Sequence, residues 1–154
     1  MSIFLADEAA TIALAERLQA VLPKSIQGLT LLLEGELGAG KSTFARGLIR
    51  AMGQAGPVPS PTYTLVEPYR LAAGTIYHID LYRVAAEEEL RFLGWDELDD
   101  GLRLVEWPDR APGLAESADL ELTLAYSGAG RSARFESLSD TGRHLLDALQ
   151  QSSV

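Results

Sequence analysis

Cysteine is absent from this 154-residue chain. That excludes a disulfide scaffold, a thiol nucleophile, an iron–sulfur cluster and any cysteine-based zinc site. It also suits a reducing compartment. Histidine is scarce: His78 and His144 lie too far apart to form a His-rich metal motif. No apolar run approaches the roughly 18 residues that span a membrane. The first residues lack the basic region, apolar stretch and small-residue cleavage site of a secretory leader. Together these features predict a cytoplasmic protein. Positive charge is in deficit, with 13 Lys and Arg against 22 Asp and Glu and a net charge of −9. Such a surface repels phosphate backbones, which argues against direct docking on DNA or RNA but leaves room for a local anion site.

With 47% hydrophobic and 23% charged residues, the composition is that of an ordinary globular core. The length suits a single domain over 1–154. Asp7 caps an expected helix running to about Leu22, and Pro23 marks its stop. Leu29 to Leu33 is a short apolar run suited to a strand buried on both faces. A glycine-rich turn follows, then an amphipathic helix from Lys41 to Met52. Gly56 to Pro61 reads as an irregular loop. Thr62 to Tyr69 and Thr75 to Leu81 predict a hairpin, and Ala85 to Leu93 a helix ending at Gly94. Leu102 to Glu106 predicts another buried strand. Leu120 to Tyr126 and Arg131 to Ser137 predict a second hairpin, and Asp140 to Gln150 a closing helix. This order predicts a three-layer α/β fold of the P-loop NTPase kind with a mixed β-sheet.

The most informative stretch is Gly35-Glu-Leu-Gly-Ala-Gly-Lys-Ser42, which fits G-x-x-x-x-G-K-[ST] at every fixed position. Its glycines let backbone N–H groups turn inward around a phosphate, and the helix N-terminus adds its dipole. Gly38, Ala39, Gly40, Lys41, Ser42 and Thr43 are therefore expected to hold a nucleotide. Lys41, expected at an exposed loop-to-helix junction, reaches the β- and γ-phosphates, and the Ser42 hydroxyl is a Mg²⁺ ligand. Such a site needs an acid from a neighbouring strand end. Glu106 and Asp80 both qualify, as metal ligand or as the group that polarises the attacking water, and spacing does not rank them. GTP specificity has no support, because Lys24 and Lys41 are the only lysines and no Asn-Lys-x-Asp motif exists. His78 alternates with Tyr77 and Ile79, which predicts a core-edge histidine. Tyr77, Tyr82 and Trp107 suit ordinary aromatic packing on pattern alone.

Four segments occur in order: GELGAGKST, SPTYTLVEPY (Ser60 to Tyr69), YHIDLYR (Tyr77 to Arg83) and LVEWP (Leu104 to Pro108). The set resembles TsaE, a family of bacterial ATPases required for the threonylcarbamoyl modification of adenosine 37 in tRNA. The resemblance implies ATP in the P-loop and Mg²⁺ held by Ser42 and Glu106, with Trp107 beside them. It implies that Ser60 to Leu65, with Thr62 within it, is a switch-like loop facing the γ-phosphate. It ties Asp80 and Tyr82 to turnover and places Thr11 and Arg131 near the nucleotide. The implied partners are the TsaD and TsaB proteins, with tRNA reached only through them and no membrane involved.

The function so implied is a Mg²⁺-dependent ATPase with low basal activity that drives or resets a tRNA-modifying assembly. A small-molecule P-loop kinase is one alternative, but no lid helix with clustered arginines is evident. A nucleotide-gated binding module with little hydrolysis is another. Glu87 to Asp109 holds nine acids against two arginines, either a solvated face or an edge for a basic partner.

Overall fold

The computed structural model describes residues 1–152; of the expected domain over 1–154, the last two residues lie outside the described ones. Seven strands form one sheet in the order β1-β7-β6-β2-β5-β4-β3. They are β1 (Ser2–Leu5), β2 (Thr30–Glu34), β3 (Val66–Leu71), β4 (Gly74–Asp80), β5 (Leu102–Glu106), β6 (Leu120–Ser127) and β7 (Gly130–Ser137). Strand β2 runs parallel to β5 and β6, and β4 parallel to β5, while β1–β7, β6–β7 and β3–β4 are antiparallel. The sheet is therefore mixed, as expected, and both expected hairpins are present.

Helices α1 (Glu8–Val21), α2 (Lys41–Ala51) and α3 (Asp140–Gln151) cover one face. Leu14, Leu18, Phe44, Leu48 and Leu149 pack there on Leu31, Leu33, Leu104 and Leu122. Leu32, Ile79 and Val105 point to the other face, where they meet Val84, Leu90, Ala111 and Leu114. That second layer is built from 3₁₀ segments, Glu87–Leu93, Trp95–Asp100, Pro108–Arg110 and Pro112–Glu116. Among the described residues, no helix is long and apolar enough to cross a membrane.

Three elements depart from expectation. Strand β1 was not foreseen: four residues carry too little periodicity, and they are ordered by antiparallel pairing with β7, Ser2 opposite Arg134 and Leu5 opposite Arg131. The helix expected over Ala85–Leu93 is a 3₁₀ segment, Glu87–Leu93, rather than an α-helix. Glu89 Oε2 accepts the Ala85 N–H at 2.7 Å, and Glu87 Oε1 accepts the Gly113 N–H at 2.8 Å. Those side-chain bonds fix a short turn that ends at Gly94, and seven residues are too few to sustain an α-helix by propensity. Finally, Thr62 to Leu65 is a turn, and the strand starts only at Val66.

The topology positions the site. Parallel strands β2, β5 and β4 end along one edge of the sheet, with Leu33 opposite Glu106 and Glu106 opposite Asp80. Ligands of open α/β sheets bind outside such carboxyl ends. The glycine-rich loop leaves β2 at that edge and enters α2.

Candidate functional site

Backbone shape comes first. Gly35 has φ 152° and Gly38 φ 81°, and a Cβ on Gly35 would run into the Leu124 carbonyl. Glycine is required there because the loop must turn tightly against β6. Two side chains from the β6–β7 hairpin brace the loop from outside. The Tyr126 hydroxyl donates to the Leu37 carbonyl at 2.9 Å, and Arg131 Nη2 donates to the Gly38 carbonyl at 3.2 Å. The Arg131 guanidinium lies 4.2 Å from the Tyr126 ring centroid.

Lys41 is buried, at 4% exposure, rather than standing at an exposed junction. Its Nζ donates to the carbonyls of Gly35 and Glu36, and lies 4.0 Å from the Trp107 ring centroid. The loop folds back over its own lysine, which sequence spacing does not reveal. Burial holds the Lys41 amine below the usual lysine range, opposed by Glu106, Asp80, Asp109 and Glu34.

Ser42 lies in the first turn of α2 and donates to Glu106 Oε1 at 3.1 Å. The other carboxylate oxygen, Oε2, lies 2.6 Å from His78 Nε2. Glu106 and His78 are each 2% exposed, so His78 is a core residue facing the site rather than a core-edge one. Asp80 is buried too, and its Oδ1 accepts the Tyr82 N–H at 2.9 Å. Its Oδ2 accepts from Thr62 Oγ1 at 3.2 Å. Ser60 Oγ lies 2.7 Å from Thr62 Oγ1. Since Thr62 spends its one proton on Asp80, Ser60 donates to Thr62, and the three form a directional chain.

The two non-glycine residues with positive φ among the described residues frame this centre: Trp107 (59°), directly after Glu106, and Leu65 (69°). Leu65 closes the turn that carries Thr62, donating to the Pro61 carbonyl at 2.7 Å and accepting from the Asp80 N–H at 2.9 Å. Such strained backbone clusters where side chains are held for function. Tyr82, 45% exposed, packs against Trp107 with ring planes tilted by 53° and centroids 4.9 Å apart, and Arg110 lies over both rings at 5.4 and 5.8 Å. Tyr77, by contrast, is packing: it is buried and donates to Asp100 at 2.6 Å.

Two adjoining clefts share Gly38, Gly40 and Thr43. One, of about 190 Å³, is lined by Lys41, Ser42, Thr62, Asp80, Glu106 and Trp107. The other, of about 300 Å³, is lined by Asp7, Glu8, Thr11, Gly130 and Arg131. The expected lysine, hydroxyls and carboxylates thus converge in the first cleft and Thr11 and Arg131 in the second, while Tyr82 lines neither and meets the site only through Trp107. Ala39, within the loop, is buried. Sequence reasoning missed two contributors. His78 had a signal, because it shares a strand face with Asp80 two residues on. Tyr126 had none, since its partner Leu37 is 89 positions away. The acidic Glu87 to Asp109 stretch is partly spent internally, through Glu87, Glu89, Asp100 and Glu106.

The family described as "Threonylcarbamoyl adenosine biosynthesis protein TsaE" matches residues 5–134. A tRNA threonylcarbamoyladenosine biosynthesis protein TsaE from Haemophilus influenzae is 34% identical over 149 residues, covering 94% of each chain. The protein of that name from Nostoc is 36% identical over 133 residues, covering 83% of this chain and 80% of its own. The crystal structure of Bacillus subtilis YdiB superposes with a TM-score of 0.78 at 27% identity, covering 100% of this chain and 96% of that one.

Proposed function

Because this chain belongs to the TsaE family, we propose that it serves tRNA threonylcarbamoyladenosine biosynthesis as a Mg²⁺-dependent ATPase acting on a TsaB–TsaD pair in the cytoplasm. The observation that carries the chemical part is the convergence of Lys41, Ser42, Thr62, Asp80 and Glu106 on one cleft at the end of the P-loop.

The loop N–H groups from Gly38 to Thr43 bind the phosphates, and Lys41 opposes their charge from a desolvated position where that charge counts most. The second cleft, with Thr11 and Arg131 on its walls, takes the nucleoside end. The donor set of the first cleft fits a hard divalent cation, being a hydroxyl hydrogen-bonded to a carboxylate with a second carboxylate nearby. Ser42 and Glu106 would hold Mg²⁺, which would supply positive charge to offset the charge developing on the phosphates. The Ser60–Thr62–Asp80 chain orients Thr62 within the same cleft. Asp80 accepts the Thr62 hydrogen bond and Ser60 takes one Thr62 lone pair, which leaves the other lone pair to position an attacking water.

The net charge of −9 supports a link to tRNA that runs through protein rather than by direct docking. Phosphate release by the chain alone, with candidate small acceptors, and with TsaB–TsaD tests the reading. Slow release alone, changed by the pair and untouched by acceptors, supports it. Acceptor-dependent transfer would make the protein a kinase instead.

A further inference from the structure

The Glu106 carboxylate has two oxygens with two separate duties, and only one faces the P-loop. Oε1 accepts from Ser42 at 3.1 Å. Oε2 lies 2.6 Å from His78 Nε2 in a region where both residues are 2% exposed. The other ring nitrogen, His78 Nδ1, is buried with no hydrogen-bond partner among the described residues. An ionised carboxylate only accepts, so the ring must donate through Nε2. The Nε2–H tautomer leaves Nδ1 with a bare lone pair, whereas a proton there would be stranded without an acceptor.

Strand geometry explains why this histidine reaches Glu106. His78 and Asp80 lie on the same face of β4, and Asp80 pairs with Glu106 in the parallel ladder with β5. His78 is opposite Leu104, so its ring reaches Glu106 diagonally.

We infer that His78 is a positioning residue: by holding Glu106 Oε2 through Nε2–H, it aims Oε1 at Ser42 and presents one carboxylate oxygen to the metal position. This rests on the Mg²⁺ reading proposed above. A carboxylate on a flexible stem otherwise turns about its last bond and can offer either oxygen or both. Hydrogen bonds that orient a ligand in this way typically contribute 10- to 100-fold to metal affinity.

The test compares the affinity of a fluorescent non-hydrolysable ATP analogue with Mg²⁺ and with EDTA; the ratio reads metal coupling without turnover. His78→Leu keeps the bulk but removes the donor. It should shrink the ratio by about tenfold or more while leaving the EDTA affinity unchanged. His78→Gln, whose amide nitrogen can replace Nε2, should keep the ratio within about threefold of the wild type. Should His78→Leu fail to fold, His78→Asn replaces it, because the shorter amide falls short of Glu106. Long-range ¹H–¹⁵N spectra of the metal-free wild type should show the Nε2–H tautomer. An Nδ1–H tautomer, an unchanged ratio in His78→Leu, or equal losses in the Leu and Gln variants would each overturn the inference alone. A wild-type ratio of one would overturn the Mg²⁺ reading as well, and Glu106→Gln serves as the control that separates the two.

Discussion

Ser42 and Glu106 are 64 positions apart in sequence, yet the hydroxyl of one donates to the carboxylate of the other at 3.1 Å. The bond joins the first turn of α2 to the last residue of β5 and fixes where a P-loop hydroxyl meets an acid. Asp80, the rival acid, is tied instead to Thr62. The two carboxylates therefore divide the cleft, Glu106 beside the P-loop helix and Asp80 beside the Ser60–Leu65 turn.

Glu106→Gln is expected to raise the Mg²⁺ concentration needed for half-maximal ATP turnover by about tenfold or more, with a smaller effect on nucleotide affinity in EDTA. The amide loses the charge. It must also point an N–H at either Ser42 or His78, both of which now donate. Asp80→Asn should lower kcat with the Mg²⁺ requirement near that of the wild type. Mg²⁺ titrations of both variants check this, and the reverse pattern would make Asp80 the metal ligand.

Lys41→Ala should cut kcat/KM by at least about tenfold, since a charge-assisted contact is worth about 1.5–3 kcal/mol. The fold should survive. The amine is held below its usual range by burial, so its removal also relieves a desolvation cost. Circular dichroism melts beside phosphate-release assays separate the two effects.

Tyr126→Phe keeps the ring against Arg131 but loses the hydroxyl that holds the Leu37 carbonyl. One neutral hydrogen bond contributes about 0.5–1.5 kcal/mol, so nucleotide affinity should weaken by roughly 2- to 10-fold. Calorimetric titration with ADP reads this. An unchanged affinity would show that the hairpin does not brace the loop.

Thr62→Ala should abolish or alter ATP-dependent binding to TsaB–TsaD. It breaks the Ser60–Thr62–Asp80 chain that ties the turn to the phosphate cleft. Pull-down with ATP, ADP and no nucleotide measures it, with tRNA binding by the isolated chain as the negative control. Equal capture under all three conditions by the wild type would end the switch reading of this turn.

Glu121 is held above the usual glutamate range, first by burial and then by Glu34 and by Glu136, directly opposite on β7. A raised acid binds its proton more readily in the folded state, so the fold gains stability as pH drops through the raised value. At pH 7 the ionised form is a net cost. Glu121→Gln should therefore raise the melting temperature at pH 7 and lose that advantage at pH 4. Relief of a like-charged cross-strand pair is worth about 0.2–1 kcal/mol. Melts at the two pH values check the sign.

Local chemistry made much of this protein legible from the chain. Gly35 to Ser42 declares a phosphate loop because only that spacing of glycines, lysine and hydroxyl turns backbone N–H groups inward at a helix start. Alternation and apolar runs declared β2 through β7 and their hairpins, since side-chain period follows backbone geometry. What stayed hidden depends on contacts distant in sequence. Strand β1 exists because β7 offers an edge, and the Glu87–Leu93 turn is held by bonds that include one to Gly113. The burial of Lys41, the bond from Ser42 to Glu106 that spacing alone does not rank above one to Asp80, and the donor that His78 aims at Glu106 follow from strand order and register. A residue's neighbours across a parallel sheet are set by crossovers of dozens of residues, and no local pattern encodes which strand end faces which loop.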